Sequence, residues 1–239
     1  MTDKRILITN DDGIDSDGIK MLAEAATQFG EVWVVAPDSQ RSAMSHSINC
    51  HKPFEVWEYD FKVPGVRAFA CSGTPVDCVR IGVLNLMQGK PDHVFSGINY
   101  GYNISWDIQY SATVAAALEA AFFGVPAVAF SRNMTDCHEI EDHYLTGLME
   151  AYMNRPLGRD AVWNINFPGC TLADCKGIME DCRVSQDDFY IENYEIKRLP
   201  DGKIQCMVRS KRNWMAAPGT DLAAVTDGYV SVGIVHNIA

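Results

Sequence analysis

The chain has 239 residues, 47% of them hydrophobic, which suits the core of one α/β domain, and residues 1–239 are expected to form a single unit. No apolar run is long enough to span a bilayer, and charged Asp3, Lys4 and Arg5 precede the first apolar run, unlike an export leader, so a cytoplasmic location is expected, with no membrane partner. A formal net charge of -11 argues against contact with duplex nucleic acid; an anionic small substrate then needs a bound cation or backbone amides at helix N-termini.

The chain opens with a short apolar strand at 5–9, followed by a helix at 16–29 whose Ile19, Leu22, Ala23 and Ala26 share a face, with Gly30 as its stop. A β-rich run at 31–36, halted by Pro37, completes a β-α-β unit with a parallel pair. Residues 53–70 suggest a peripheral strand pair. Thr74-Pro75 is a helix start, Thr as cap and Pro at the first position, and Val76–Met87 carry the apolar stripe of that helix. A strand at 92–96 leads into a glycine-containing loop, Gly97–Tyr110, and then an alanine-rich helix, Ser111–Phe123, closed by Gly124. Val125–Ser131 is a strand, Asp142–Asn154 a helix and Ala161–Phe167 a strand. This alternation predicts an α/β, Rossmann-like, doubly wound and mostly parallel sheet. From about residue 177 to 215 the texture changes: Phe189–Leu199 and Lys203–Val208 alternate around Pro200-Asp201-Gly202, which reads as a projecting β-hairpin arm. Such an arm has little core of its own and suits pairing with another subunit.

Ligands of doubly wound sheets sit at the carboxyl ends of the strands, so the loops there carry the chemistry. Asp11-Asp12 after the first strand is a candidate metal anchor, because adjacent ionised carboxylates repel unless a cation lies between them, and Gly13 lets the backbone turn close by. The alternative is a helix-start cluster in which Asp11, Asp12 and Asp15 complement the dipole. The loop at 38–47 adds Ser39, Ser42, Ser45, Ser47, Arg41 and His46, and the next adds Ser96, Asn99 and Asn103. Hydroxyl and amide oxygens beside two carboxylates suit Mg²⁺, Mn²⁺ or Ca²⁺. Ser111-Ala112-Thr113 opens a helix where hydroxyls and free amides either hold a phosphate or simply cap. The eight cysteines contain no Cys-x-x-Cys pair, and Cys170, Cys175 and Cys182 match no common zinc spacing. Phosphate-cradling P-loop, dinucleotide-binding and nucleophile-elbow motifs are absent from the sequence.

Taken together, ITNDDGIDSDGI at 8–19, VVAPDSQRSAMSHSI at 34–48, SGTPVDCVRIG at 72–82 and SGINYGYNIS at 96–105 resemble the SurE family of survival-protein nucleotidases. The segments YSATVAAALEA, FGVPAVAFS, WNINFP and TDLAAVTDGYVSV follow in the family's order. The resemblance implies a divalent-metal-dependent 5′- and 3′-nucleotidase acting on nucleoside monophosphates. It implies one ion, Mg²⁺ or Mn²⁺ before Ca²⁺, on Asp11, Asp12, Ser42 and Asn99, with the two aspartates also candidates for handling the attacking water. Phosphate contacts fall on Asn103, Ser111 and Thr113, with amides near Ala43. It also implies a homodimer or homotetramer through the C-terminal extension. Ala112, Ala116 and Ser45 stand where the family usually has glycine. Two rivals follow: a non-catalytic nucleotide binder, suggested by those changes, and a Mg²⁺-binding phospho-receiver, which needs an acceptor Asp where Ser96-Gly97-Ile98-Asn99 stands.

Overall fold

In the computed structural model, which describes residues 4–237, β1 (Lys4–Thr9) pairs in parallel with β2 (Gly30–Pro37) on one side and with β5 (His93–Tyr100) on the other. The leader reading at Asp3 and the outermost residues of the expected 1–239 unit lie outside the described residues. Successive β1 side chains enter opposite cores, Ile6 and Ile8 on one face and Leu7 on the other, as the period of two requires.

Between β1 and β2 runs α1 (Asp17–Ala26), which buries Ile19, Leu22, Ala23 and Ala26 as its spacing predicts. It ends earlier than expected: the Thr27 hydroxyl donates to the Glu24 carbonyl at 2.7 Å and closes the last turn at Ala26. Gly30 is the first residue of β2, not the helix stop. Its backbone lies so close to Lys4 that a methyl there would sit 1.9 Å from the Lys4 carbonyl oxygen, at φ 153.

The pair expected at 53–70 is β3 (Val56–Glu58) antiparallel to β4 (Arg67–Cys71), and β4 extends the main sheet by pairing with β2. Thr74 caps α2 (Pro75–Ile81) in a reciprocal box with Asp77: the Thr74 hydroxyl accepts from the Asp77 amide at 3.1 Å, and the Asp77 carboxylate accepts from the Thr74 amide at 3.0 Å. The predicted helix to Met87 widens into a π-turn over Gly82–Leu86, and Met87 is extended.

At β5 the loop expectation needs correction. Gly97 does not end the strand: β5 runs on to Tyr100, with its register to β6 (Ala127–Arg132) shifting between Ser96 and Asn99. The Gly97–Ile98 peptide is cis. Only then does the chain leave the sheet, through a 3₁₀ turn at Ser105–Tyr110 into α3 (Ala112–Phe122). The next helix, α4 (Glu139–Met153), starts a turn before the predicted Asp142, and β7 (Ala161–Phe167) falls where expected.

The completed sheet has the order β3-β4-β2-β1-β5-β6-β7-β11-β8, with β8 (Ile178–Cys182) and β11 (Val230–His236) at one end and a short helix α5 (Asp221–Thr226) leading into β11. It is mostly parallel, with β3 and β11 antiparallel to their inner neighbours. Helices α1 and α4 cover one face and α2 and α3 the other. β9 (Tyr190–Arg198) and β10 (Ile204–Arg212) form a separate two-stranded hairpin. Residues 178–182, within the stretch read as arm, instead extend the main sheet through β11. Among the described residues no helix is long and apolar enough to cross a membrane.

Candidate active site

The carboxyl ends of β1, β2 and β5 meet at one point, and the sequence places its acids, hydroxyls and amides there. Asp11 leaves β1 almost fully buried, and its backbone carbonyl accepts from the Arg41 amide at 2.7 Å, which ties the 38–47 loop to the strand end. The turn needs Gly13 at φ 99, where an added methyl would press 3.3 Å from the backbone of Ser39. Asn10 braces the turn from within, its amide donating to the Gly13 carbonyl at 2.9 Å and to the Ser16 hydroxyl at 2.8 Å.

The two carboxylates differ in how they are held. Asp11 accepts from the Thr113 hydroxyl at 2.5 Å; Asp12 accepts from the Tyr100 amide at 2.8 Å. Burial pushes the Asp11 carboxyl up to about 7; the Thr113 hydroxyl opposes that rise and the charge of Asp12 adds to it. Asp12 is also raised by burial, against the pull of the Tyr100 amide, the Gln40 side chain and the charge of Arg132. A divalent cation held by these carboxylates would oppose both shifts, because it would favour the ionised forms that burial penalises.

Asp11, Ser42, Ala43, Asn99, Asn103 and Ser111 all line one cavity of about 490 Å³, a size suited to a small ligand. Asp12 lies beside it, at the Tyr100 backbone. The Asn99 amide nitrogen donates to the Gly101 carbonyl at 2.8 Å, which leaves the amide oxygen as the end available to a cation. The donor set is thus hard oxygen throughout, and among the described residues no group of three or more His, Cys, Asp or Glu offers a rival metal centre. Among the described residues no Lys or Arg lines the cavity.

Thr113 is not on the cavity wall. It is fully buried in the first turn of α3, and its hydroxyl is spent on Asp11 rather than left free for a phosphate. Ser111 does line the cavity, and its hydroxyl also caps α3 by accepting from the Val114 amide at 3.0 Å, so capping and exposure to the cavity coexist. Asn103 is fixed from behind. Its amide nitrogen donates to the Ser131 hydroxyl at 2.7 Å, its backbone amide to Asn166 at 2.9 Å, and its carbonyl accepts from Asn164 at 2.8 Å and Asn166 at 3.1 Å. Asn164 and Asn166 escaped sequence reasoning as site residues; polar side chains inside an apolar strand, in WNINFP, are the signal that marks them.

Ser45 adopts φ 51, the left-handed backbone that accounts for a glycine at such a position, and its amide and hydroxyl are held by Tyr110 and Gln109 at 3.1 and 2.9 Å. Ala112 and Ala116 are fully buried and outside the cavity lining, so their methyl groups do not narrow it.

Residues 6–190 match the family model of survival protein SurE. The chain is 37% identical over 237 residues to the 5′-nucleotidase SurE of Thermoanaerobacter sp. (strain X514), covering 97% of this chain and 92% of that protein. It is 38% identical over 232 residues to the 5′-nucleotidase SurE of Aeromonas hydrophila, covering 95% and 90%. The crystal structure of the SurE protein from Aquifex aeolicus superposes with a TM-score of 0.81 at 34% identity, covering 97% of this chain and 93% of that one.

Proposed function

The chain belongs to the survival protein SurE family, and from that premise we propose that it is a divalent-metal-dependent nucleotidase, a phosphoric monoester hydrolase that converts nucleoside monophosphates to nucleoside and phosphate. The observation that carries the reading is the adjacent pair of a buried Asp11 and a half-buried Asp12 at a ligand-sized cavity that, among the described residues, no basic side chain lines. In such a cavity a bound cation, helped by backbone amides, supplies the positive potential that a phosphate needs.

Asp11, Asp12, the Ser42 hydroxyl and the Asn99 amide oxygen hold one ion, Mg²⁺ or Mn²⁺. The ion, when bound, polarises a phosphoryl oxygen and makes a water more acidic. Asn103, Ser111 and the backbone amides near Ala43 bind the remaining phosphate oxygens, where charge is spread in the transition state. The Asp12 oxygen not engaged by the Tyr100 amide orients the attacking water and takes its proton. Thr113 favours the ionised form of Asp11 against burial and fixes its orientation. The buried Ser131, Asn164 and Asn166 keep Asn103 in one orientation.

The hairpin exposes Ile191, Ile196, Ile204 and Met207, and a lone two-stranded hairpin is marginal in water, so the reading extends to a homodimer or homotetramer joined through β9 and β10. A monomeric mass in light scattering sinks that part. Free thiols at all eight cysteines suit a reducing cytoplasm.

Phosphate release from nucleoside 5′- and 3′-monophosphates tests the reaction, run with Mg²⁺, Mn²⁺ or chelator on the wild type and on Asp12→Asn. Metal-dependent turnover that Asp12→Asn abolishes is the expected result. Nucleotide binding without turnover under any metal overturns it in favour of a non-catalytic binder.

A further inference from the structure

The cavity lined by Asp11 is lined also by the first strand of the hairpin, through Tyr190, Glu192 and Tyr194. Alternate residues of a strand point to one side, so these three side chains form a single face spanning roughly 13 Å, comparable with the long dimension of a nucleoside. The root of this face is anchored. The Tyr190 amide donates to the Asp107 carboxylate at 3.0 Å, and Phe189 packs between Tyr190, Trp214 and Tyr102 with ring centroids 4.7, 5.2 and 6.1 Å away. Tyr102 is itself a cavity residue. Among the described residues no hydrogen bond or ion pair engages the Glu192 carboxylate.

With the phosphate end fixed at Asp11, whatever is esterified to the phosphate extends toward this wall. We infer that the inner face of β9 is the nucleobase reader of the site, Tyr190 and Tyr194 stacking on the base while Glu192 accepts hydrogen bonds from its edge. The inference rests on the nucleotidase reading. A carboxylate is an acceptor only, and guanine alone among the common bases presents an N–H and an NH₂ side by side, matched to its two oxygens. Guanosine monophosphate is therefore the favoured substrate, and uridine monophosphate, with a single N–H between two carbonyls, the least favoured.

The test compares kcat/KM for guanosine, adenosine, cytidine and uridine monophosphates and for ribose 5-phosphate, which lacks a base, in the wild type, Tyr194→Ala and Glu192→Gln; calorimetry follows guanosine monophosphate binding in the same proteins. Tyr194→Ala is expected to lower the nucleotide-to-ribose-phosphate ratio of kcat/KM about tenfold, in line with loss of one stacked base. Glu192→Gln is expected to lower the guanosine-to-uridine ratio by a similar factor, about tenfold. Ratios that stay at the wild-type value in both variants, in an enzyme that turns over ribose 5-phosphate, overturn the base-reading wall and leave the nucleotidase intact. A wild type that releases phosphate from none of these esters refutes the nucleotidase itself. In that case unchanged calorimetric affinity in Tyr194→Ala and Glu192→Gln still decides against the wall.

Discussion

Replacing Thr113 by valine removes one hydroxyl and keeps the shape of a fully buried side chain. What is lost is the 2.5 Å donation to Asp11. A hydrogen bond to a charged group contributes about 1.5–3 kcal/mol, and loss of a partner that orients a metal ligand typically weakens metal binding by roughly 10–100-fold. The same hydroxyl opposes the burial that lifts the Asp11 carboxyl to about 7, so without it Asp11 holds its proton to higher pH and competes with the ion there. Two results are therefore expected for Thr113→Val: an apparent Mn²⁺ dissociation constant roughly 10–100-fold weaker, and a pH profile of phosphate release displaced to the alkaline side. Calorimetric Mn²⁺ titration measures the first directly, phosphate release at fixed metal the second. Thr113→Ser, which keeps the donor, should recover most of both. A Thr113→Val protein with an unaltered melting temperature and wild-type Mn²⁺ affinity at neutral pH refutes the argument.

Three further outcomes follow from other parts of the structure. Because the folded-state value of Asp11 is raised from 3.8 to about 7, its contribution to the metal-free protein is fully present below 3.8 and is lost as pH rises through about 7; Asp11→Asn should remove that component, making the variant relatively more stable than wild type in melts at pH 8 with chelator. A methyl at Gly18 would lie 2.0 Å from the Ile98 carbonyl oxygen, so Gly18→Ala must push α1 away from β5, at a cost of about 1–3 kcal/mol that differential scanning calorimetry should read as a fall of roughly 2–12 °C. The cavity lining contains Asp11, Asp107 and Glu192 and no basic residue, so each added phosphate enters without a side-chain cation; nucleoside triphosphates should have lower kcat/KM than the corresponding monophosphates in steady-state assays.

Local signals in the sequence carried those parts of the fold that neighbouring residues decide. The face of α1, the Thr74 cap and the Pro200-Asp201-Gly202 turn are decided by residues a few positions apart, and they stand where those residues place them. The errors lie where distant segments decide. Gly97 reads as a loop signal, yet neighbouring strands hold the chain extended to Tyr100. β8 reads as part of an arm because its partner, β11, comes from far along the chain. In the candidate site, the residues at the strand ends were legible because the sheet rule points at them. Thr113 was legible as a residue of interest but not in its contact, since only the packing of α3 against β1 brings its hydroxyl to Asp11. The cavity wall formed by Tyr190, Glu192 and Tyr194 was invisible, because an alternating strand does not say what its inner face will meet.

The position of β11 between β7 and β8 has a consequence for how the protein is made. About 48 residues separate Cys182, the end of β8, from Val230, where β11 begins. At about 5–20 residues per second on the ribosome, β8 waits roughly 2–10 s for its partner, while β7 presents an unpaired edge. During that interval the nascent chain also emits the β9–β10 hairpin, with Ile191, Ile196, Ile204 and Met207 exposed. The growing polypeptide thus passes through a stage, late in translation, when its open sheet edge and the unpaired hairpin are exposed together, and that stage is where a chaperone or a neighbouring nascent copy has most to grasp.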